Sequence, residues 1–216
     1  ILAGQTRLKA LLQGGPALNT VTEPESASDP KEPTLSSSEI LQMTSLNETS
    51  RALFQPAYTP EKFAQVLTDR GQYSDAIRVL AQFLSKRQAI FWASEGVRQV
   101  CPRTLTMDEK AALDATSVWL KNPSDANRRA AMALAEKMNF ENSAAPVAAA
   151  AFWSEGSIMP LDLAEVPPDP KLCGKMVAVA LVMTATEGDN ALIRSRYKSL
   201  LQIGRDVLTG DLKLPE

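Results

Sequence analysis

Residues 122–170 decide the fold, and they read NPSDANRRAAMALAEKMNFENSAAPVAAAAFWSEGSIMPLDLAEVPPDP. The stretch opens with a helix start in which proline follows an asparagine cap. An alanine-rich helix comes next and ends near Phe152 and Trp153, after which Gly156 and four prolines interrupt regular structure. This pattern is typical of helices joined by a long loop, and it contains no recognisable catalytic or cofactor-binding constellation.

Helix signals recur along the rest of the chain. Thr59 precedes Pro60, which suits a cap followed by proline at the first helical position, and Thr106 with Glu109 fits a capping box. Residues 176–183 form an apolar run too short to span a membrane, which predicts a helix at the centre of the protein. The sequence therefore predicts an all-α fold, a bundle of about seven to nine helices in antiparallel hairpins with a long proline-rich loop. A solenoid-like arrangement is the alternative.

Composition excludes several classes of function. The chain has 216 residues with 23 basic and 25 acidic side chains, and its net charge of -2 gives no broad field that would recruit nucleic acid or an anionic membrane. It contains no histidine, which removes Ser-His and Cys-His nucleophiles and histidine-containing metal sites. Cys101 and Cys173 are expected to be reduced thiols. With no secretory signal pattern and no membrane-spanning run, we expect a cytoplasmic protein.

Domain organisation follows from a change in composition near the N-terminus. Residues 14–38 are rich in Gly, Pro, Ser, Thr and Glu, which predicts a linker. Before it, three leucines lie at helical spacing and predict a short helix over residues 6–13 that docks either on the domain or on a partner. We therefore divide the chain into residues 1–57, a short helix plus a flexible linker, and residues 58–216, the helical domain.

Candidate site residues come from the helix predicted over residues 123–138. At about 100° per residue, Asn127 and Arg128 fall within roughly 60° of the centre of its apolar stripe, whereas Arg129 falls on the solvated side. Burying polar groups without partners costs free energy, so we expect Asn127 and Arg128 to bond a neighbouring backbone or carboxylate. Arg128 then anchors an adjacent loop, with anion or ligand binding as the alternative.

The adjacent loop is predicted over residues 154–170, where prolines stiffen the path of the chain. A long, stiff loop on a helical scaffold is either a packed strap or a recognition surface. We expect the aromatic pair before it to supply core area, and we expect no catalytic residue, cofactor or metal. The candidate partner-binding or loop-anchoring residues are Asn127, Arg128, Phe152, Trp153, Ser154, Glu155, Asp162 and Glu165.

Several segments together resemble an uncharacterised bacterial family of helical domains that is often encoded among type VI secretion spike and adaptor proteins. The resemblance covers roughly Tyr58 to Asn190 and carries no catalytic motif. It implies an intracellular accessory role. The segments are Thr59-Pro60 with Phe63, Asp75-Ala76-Ile77, Ile90-Phe91-Trp92-Ala93, Asn122-Pro123-Ser124, Asn127-Arg128-Arg129-Ala130-Ala131-Met132, Ala151-Phe152-Trp153-Ser154-Glu155-Gly156-Ser157, Pro167-Pro168 and the helix predicted from Met176.

The sequence supports three functional hypotheses. The first is a non-enzymatic adaptor or chaperone of a type VI secretion system, which presents a groove bordered by the 154–170 loop to a spike or effector component. The second is an immunity-type protein that inhibits a toxin by direct binding, for which the exposed acids Asp162 and Glu165 matter most. The third is an enzyme that uses carboxylates or Lys175. None of them fixes an oligomeric state.

Overall fold

The computed structural model describes residues 36–215, and within them the chain is helical, with no strand. This confirms the all-α prediction. Ten α-helices and one short 3-10 helix occur there. Two of the α-helices lie before residue 58, and the other eight follow it. The helices are α1 (Ser37–Met43), α2 (Glu48–Ala52), α3 (Pro60–Asp69), α4 (Tyr73–Phe83), α5 (Lys86–Val100), α6 (Met107–Lys121), α7 (Asp125–Lys137), α8 (Ala144–Phe152), α9 (Leu172–Thr186) and α10 (Ile193–Thr209), with the 3-10 helix Asn190–Leu192 before α10.

The packed structure extends N-terminally of residue 58. Ile40 and Leu46 are buried in the hydrophobic core, and the backbone N–H of Asn47 donates to Asp75 Oδ2 at 3.1 Å. Helix α1 begins where Ser36 and a glutamate form a capping box inside a serine run that composition alone marks as linker. The helix predicted over residues 6–13 lies outside the described residues.

The predicted helix starts are confirmed at two places and shifted at a third. The Thr59 hydroxyl accepts from the Lys62 backbone N–H at 3.1 Å, and Thr106 and Glu109 form a reciprocal capping box. Helix α7, however, begins at Asp125 rather than at residue 123, because Ser124 is the capping residue. Asparagine at 122 instead ends α6, so the asparagine and proline belong to the turn between the two helices.

Alanine-rich helix α8 lies at the centre of the bundle. Every residue of α8 is buried, and the helix packs against α5, α6, α7 and α9. On its neighbour α5, Trp92 is buried and its Nε1 donates to the Leu200 carbonyl of α10 at 2.7 Å. Helices α4 and α9 also pack together although they are distant in the chain. Contacts of this kind make the described residues a bundle rather than a solenoid of neighbouring repeats.

The apolar helix α9 packs into the core through one face only. Val177, Ala180 and Leu181 are fully buried, whereas Val179 is 41% exposed and Met176 is half-buried. The expectation of a helix surrounded on all sides is therefore wrong for α9. Its outer face has no covering helix among the described residues, which leaves an apolar strip at the surface.

Candidate functional site: a loop held by two arginines

The 154–170 loop joins α8 to α9 and is folded back on itself. Its two arms are tied by a hydrogen bond from the Ile158 backbone N–H to the Val166 carbonyl at 2.9 Å. The hydroxyl of Ser157 accepts from the backbone N–H groups of Met159, at 3.1 Å, and of Val166, at 3.0 Å. These bonds close the loop at its base, so that residues 160–165 form a tip.

Arg128 of α7 holds the first arm of this loop. Its side chain is 1% exposed, and its guanidinium donates to the Phe152 carbonyl at 3.0 Å and to the Ser157 carbonyl at 2.6 Å. It also pairs with Asp125. The prediction that Arg128 would bond a neighbouring backbone or carboxylate is confirmed, and the bonds it makes are those of an anchor. This internal charge is tolerated because one carboxylate and two backbone carbonyls accept hydrogen bonds from it.

Arg129 is a second anchor of the loop, although the helical pattern predicts that its side chain faces solvent. Its side chain is only 25% exposed and donates to the carbonyls of Ser157, at 3.1 Å, and Met159, at 2.8 Å. The prediction for Arg129 was wrong because the loop itself covers that side of α7. Hydrogen bonds from Arg129, and then from Arg128, hold the pKa of the Asp125 carboxyl below its ordinary value.

The ring of Phe152 packs beneath both guanidiniums. The Cζ atoms of Arg128 and Arg129 lie 4.8 Å and 5.7 Å from the ring centroid, which suits cation–π attraction. Gly156 passes close over the same group, since a Cβ built there would lie 2.6 Å from Arg128 Nη2. Its φ of +69° is left-handed, as its position after the helix predicts.

The tip of the loop exposes apolar side chains. Leu161 is 82% exposed and Leu163 is 52% exposed, and the base adds Ile158 and Val166. Four exposed aliphatic side chains therefore lie within nine positions, and apolar side chains grouped at a surface are typical of interaction sites. The tip therefore combines a fixed backbone with unburied leucines.

The remaining predicted site residues fall into two groups. Asp162, Glu165 and Glu155 are exposed. Asp162 lies between the two leucines of the tip and Glu165 lies two residues after them, and neither acid forms an ion pair in the described part of the chain. Asn127 and Ser154 make local bonds instead. Asn127 donates to the carbonyl at 122, at 2.8 Å, and Ser154 is buried with its hydroxyl bonded to the carbonyl at 151, at 2.8 Å.

The three tryptophans differ in their surroundings. Trp92 and Trp119 are fully buried in the core. Trp153 follows the last residue of α8, is half-buried, and packs on the edge of the core. Its ring therefore contributes core area as a partly covered side chain.

A groove that the sequence did not reveal runs along the outer face of α9. Its volume is about 370 Å³, and it lies between α9, the end of α1 and the side of α4. The predicted groove was to be bordered by the 154–170 loop, but no residue of that loop lines this one. The sequence feature that could have indicated this groove is that α9 is apolar on every face, including the one that no helix of the described residues covers. Residues that form its floor and edges include Met43, Arg78, Lys175, Met176, Val179 and Val182.

A separate charged cluster ties the connection between α5 and α6 to the end of α9. Arg103 donates to both oxygens of Glu109, at 2.5 and 2.8 Å, and to Glu187 at 2.5 Å. Hydrogen bonds from Arg103 lower the pKa of Glu109 to about 2. Burial raises the pKa of the nearby Cys101 thiol, which makes it a poor nucleophile. This cluster fastens the connection between α5 and α6 to the end of α9.

Comparison with known proteins identifies the family. The model of a family of unknown function, DUF6931, matches residues 63–208, which run from α3 into the last turn of α10. The chain belongs to the DUF6931 family. The DUF6931 match includes both loop anchors and the whole loop, and it extends past the limit near Asn190 that the sequence resemblance suggested. No curated protein and no solved structure matches the chain.

Two kinds of structural feature are absent from residues 36–215. No helix there is both long enough and apolar enough to cross a bilayer. No three His, Cys, Asp or Glu side chains in the same residues are grouped so that they would hold a metal ion.

Proposed function

We propose that this chain is a non-enzymatic adaptor or chaperone that binds a spike or effector component of a type VI secretion system through the tip of the 154–170 loop. The observation that carries the binding role is the exposure of Leu161 and Leu163 on a loop held by Arg128 and Arg129. The secretion context rests on the resemblance of the sequence alone.

The physical argument for binding is preorganisation. A protein that leaves two leucines in water forgoes the stabilisation of their burial, about 1.5–3 kcal/mol for each fully buried side chain. The backbone beneath them is already fixed by carbonyl bonds to two guanidiniums and by the tie between Ile158 and Val166. Little conformational entropy is then lost when a partner covers the tip.

The tip also defines the chemistry of its partner. Leu161 and Leu163 require an apolar depression, and Asp162 and Glu165 beside them favour basic residues at its rim. A surface of this kind on a spike or effector protein would select the tip by shape and would orient it by charge.

The test is affinity purification of the chain from its native host. We expect a secretion component to be recovered with the wild type and to be lost with the double variant Leu161→Ser/Leu163→Ser. The matched control is Val118→Ser, which changes another aliphatic residue that is 53% exposed, on α6. Recovery of no secretion component at any growth stage would refute the secretion role, and equal recovery with both variants would refute the role of the tip.

An immunity-type protein is the second candidate, favoured by the exposed acids Asp162 and Glu165. Co-expression with neighbouring toxin genes separates the two roles. Protection that is lost in Asp162→Asn/Glu165→Gln favours immunity, whereas improved toxin delivery favours the adaptor. The carboxylate–lysine enzyme has less support, since no Asp or Glu of residues 36–215 lines the groove that contains Lys175.

A further inference from the structure

The groove on the outer face of α9 has a defined chemistry. Its floor is built from aliphatic and methionine side chains, including Val179 and Val182, and its charged lining residues are Arg78 and Lys175. Arg78 pairs with the buried Asp75 at 2.5 Å, whereas Lys175 has no acidic partner in the described residues. The groove therefore suits an apolar segment that carries carboxylates.

The tip of the 154–170 loop is such a segment. Its sequence over residues 160–166 is PLDLAEV, in which two leucines and a valine alternate with two acids and no cation. The tip does not fill the groove of its own molecule, because Leu161 is 82% exposed and no loop residue lines the groove. One chain thus carries two complementary surfaces that do not meet within it.

We infer that the tip of the 154–170 loop of one copy docks into the α9 groove of a second copy. Leu161 and Leu163 would cover the floor near Val179, and Asp162 and Glu165 would face Lys175. The inference rests on the proposed function in taking the tip as a recognition surface. It adds regulation of that surface, since self-association covers the tip until a partner displaces it.

The docking is expected to be weak and dependent on salt. The leucines supply the apolar contact, and the charged pairs lie at an exposed edge where salt screens them. An interaction of this strength suits a surface that must be released, because a partner with a better-fitting pocket then displaces the second copy by mass action.

Sedimentation velocity of the whole chain tests the inference. We expect the average mass to rise above the 23.4 kDa of one chain between about 5 and about 500 µM protein, and to fall again at high salt. Lys175→Glu should weaken association about tenfold, because attraction to the acids becomes repulsion. The matched control is Lys110→Glu, which makes the same charge change at an exposed residue of α6 that does not line the groove.

A charge exchange makes the test specific. The loop variant Asp162→Lys/Glu165→Lys should also associate weakly alone, and an equimolar mixture with Lys175→Glu should regain association because the reversed charges are complementary. A wild type that stays monomeric at about 500 µM, equal association of Lys175→Glu and Lys110→Glu, or a mixture without recovery would each overturn the inference.

The same variants separate this inference from the proposed function. Lys175→Glu leaves the tip intact, so capture of the secretion component should persist with it. If self-association fails while capture still depends on Leu161 and Leu163, only the regulation is refuted. If capture fails while self-association holds, the tip is a self-association surface and the adaptor role falls.

Discussion

Replacing Arg128 by methionine tests the anchoring of the loop. Methionine keeps most of the aliphatic volume but removes every donor of a side chain that is 1% exposed. The Phe152 carbonyl loses its bond from Arg128, and the Ser157 carbonyl keeps only Arg129. An unsatisfied buried carbonyl costs about 1–3 kcal/mol, and losing a charge-assisted bond adds a similar amount. With the cation–π contact to Phe152 also lost, we expect destabilisation of about 3 kcal/mol.

Urea denaturation measures this loss, and hydrogen exchange shows where it acts. In Arg128→Met the amide of Ile158, which bonds the carbonyl at 166, should exchange faster because the first arm of the loop is released. The control is Arg98→Met, which breaks an exposed ion pair with Asp114 and should cost less than about 1 kcal/mol. If both variants lose the same stability, or if exchange in the loop is unchanged, Arg128 is not the anchor.

Three other predictions concern local strain, pH and packing. Gly156→Ala and Gly210→Ala both place a Cβ on a left-handed residue, at φ +69° and +80°, but only the first meets a guanidinium, so it should cost about 1–2 kcal/mol more in thermal denaturation. Equal losses would show that the guanidinium swings aside. The pKa of Glu109 is about 2, below its ordinary 4.5, so its stabilisation is complete above pH 4.5 and is lost as the pH falls towards 2; Glu109→Gln should flatten that decline in urea titrations, and an unchanged slope would contradict it. Trp153→Ala should cost about 1–2 kcal/mol against about 4 kcal/mol for Trp92→Ala, and similar losses in calorimetry would place the half-buried ring in the core.

Local signals predicted most of the fold. Caps such as Thr59 and Thr106 act within four residues, so their chemistry is legible in the sequence. The sequence also predicted the helix α9. It did not predict which face of α9 would be covered, because that depends on the placement of α1 and α4. Its exposed side at Val179 is a property of the tertiary arrangement.

The candidate site was predictable only in part, because helical geometry is local whereas the path of the loop is set by tertiary structure. Arg128 lies near the apolar stripe of α7, so its burial and its need for partners follow from helical geometry. Arg129 was placed in solvent since nothing in the helical pattern shows that a loop returns over that side. The exposure of Leu161 and Leu163 was also hidden, because leucines in a proline-rich loop suit a packed strap equally well.

The most direct test of the central claim is photo-crosslinking in the native host. A photoreactive amino acid is placed at position 161, on the tip, and in a control at position 118, which is also exposed but lies on α6. The account predicts an adduct between position 161 and a type VI spike or effector component, with none at position 118. No such adduct at 161, or equal adducts at both positions, would contradict it.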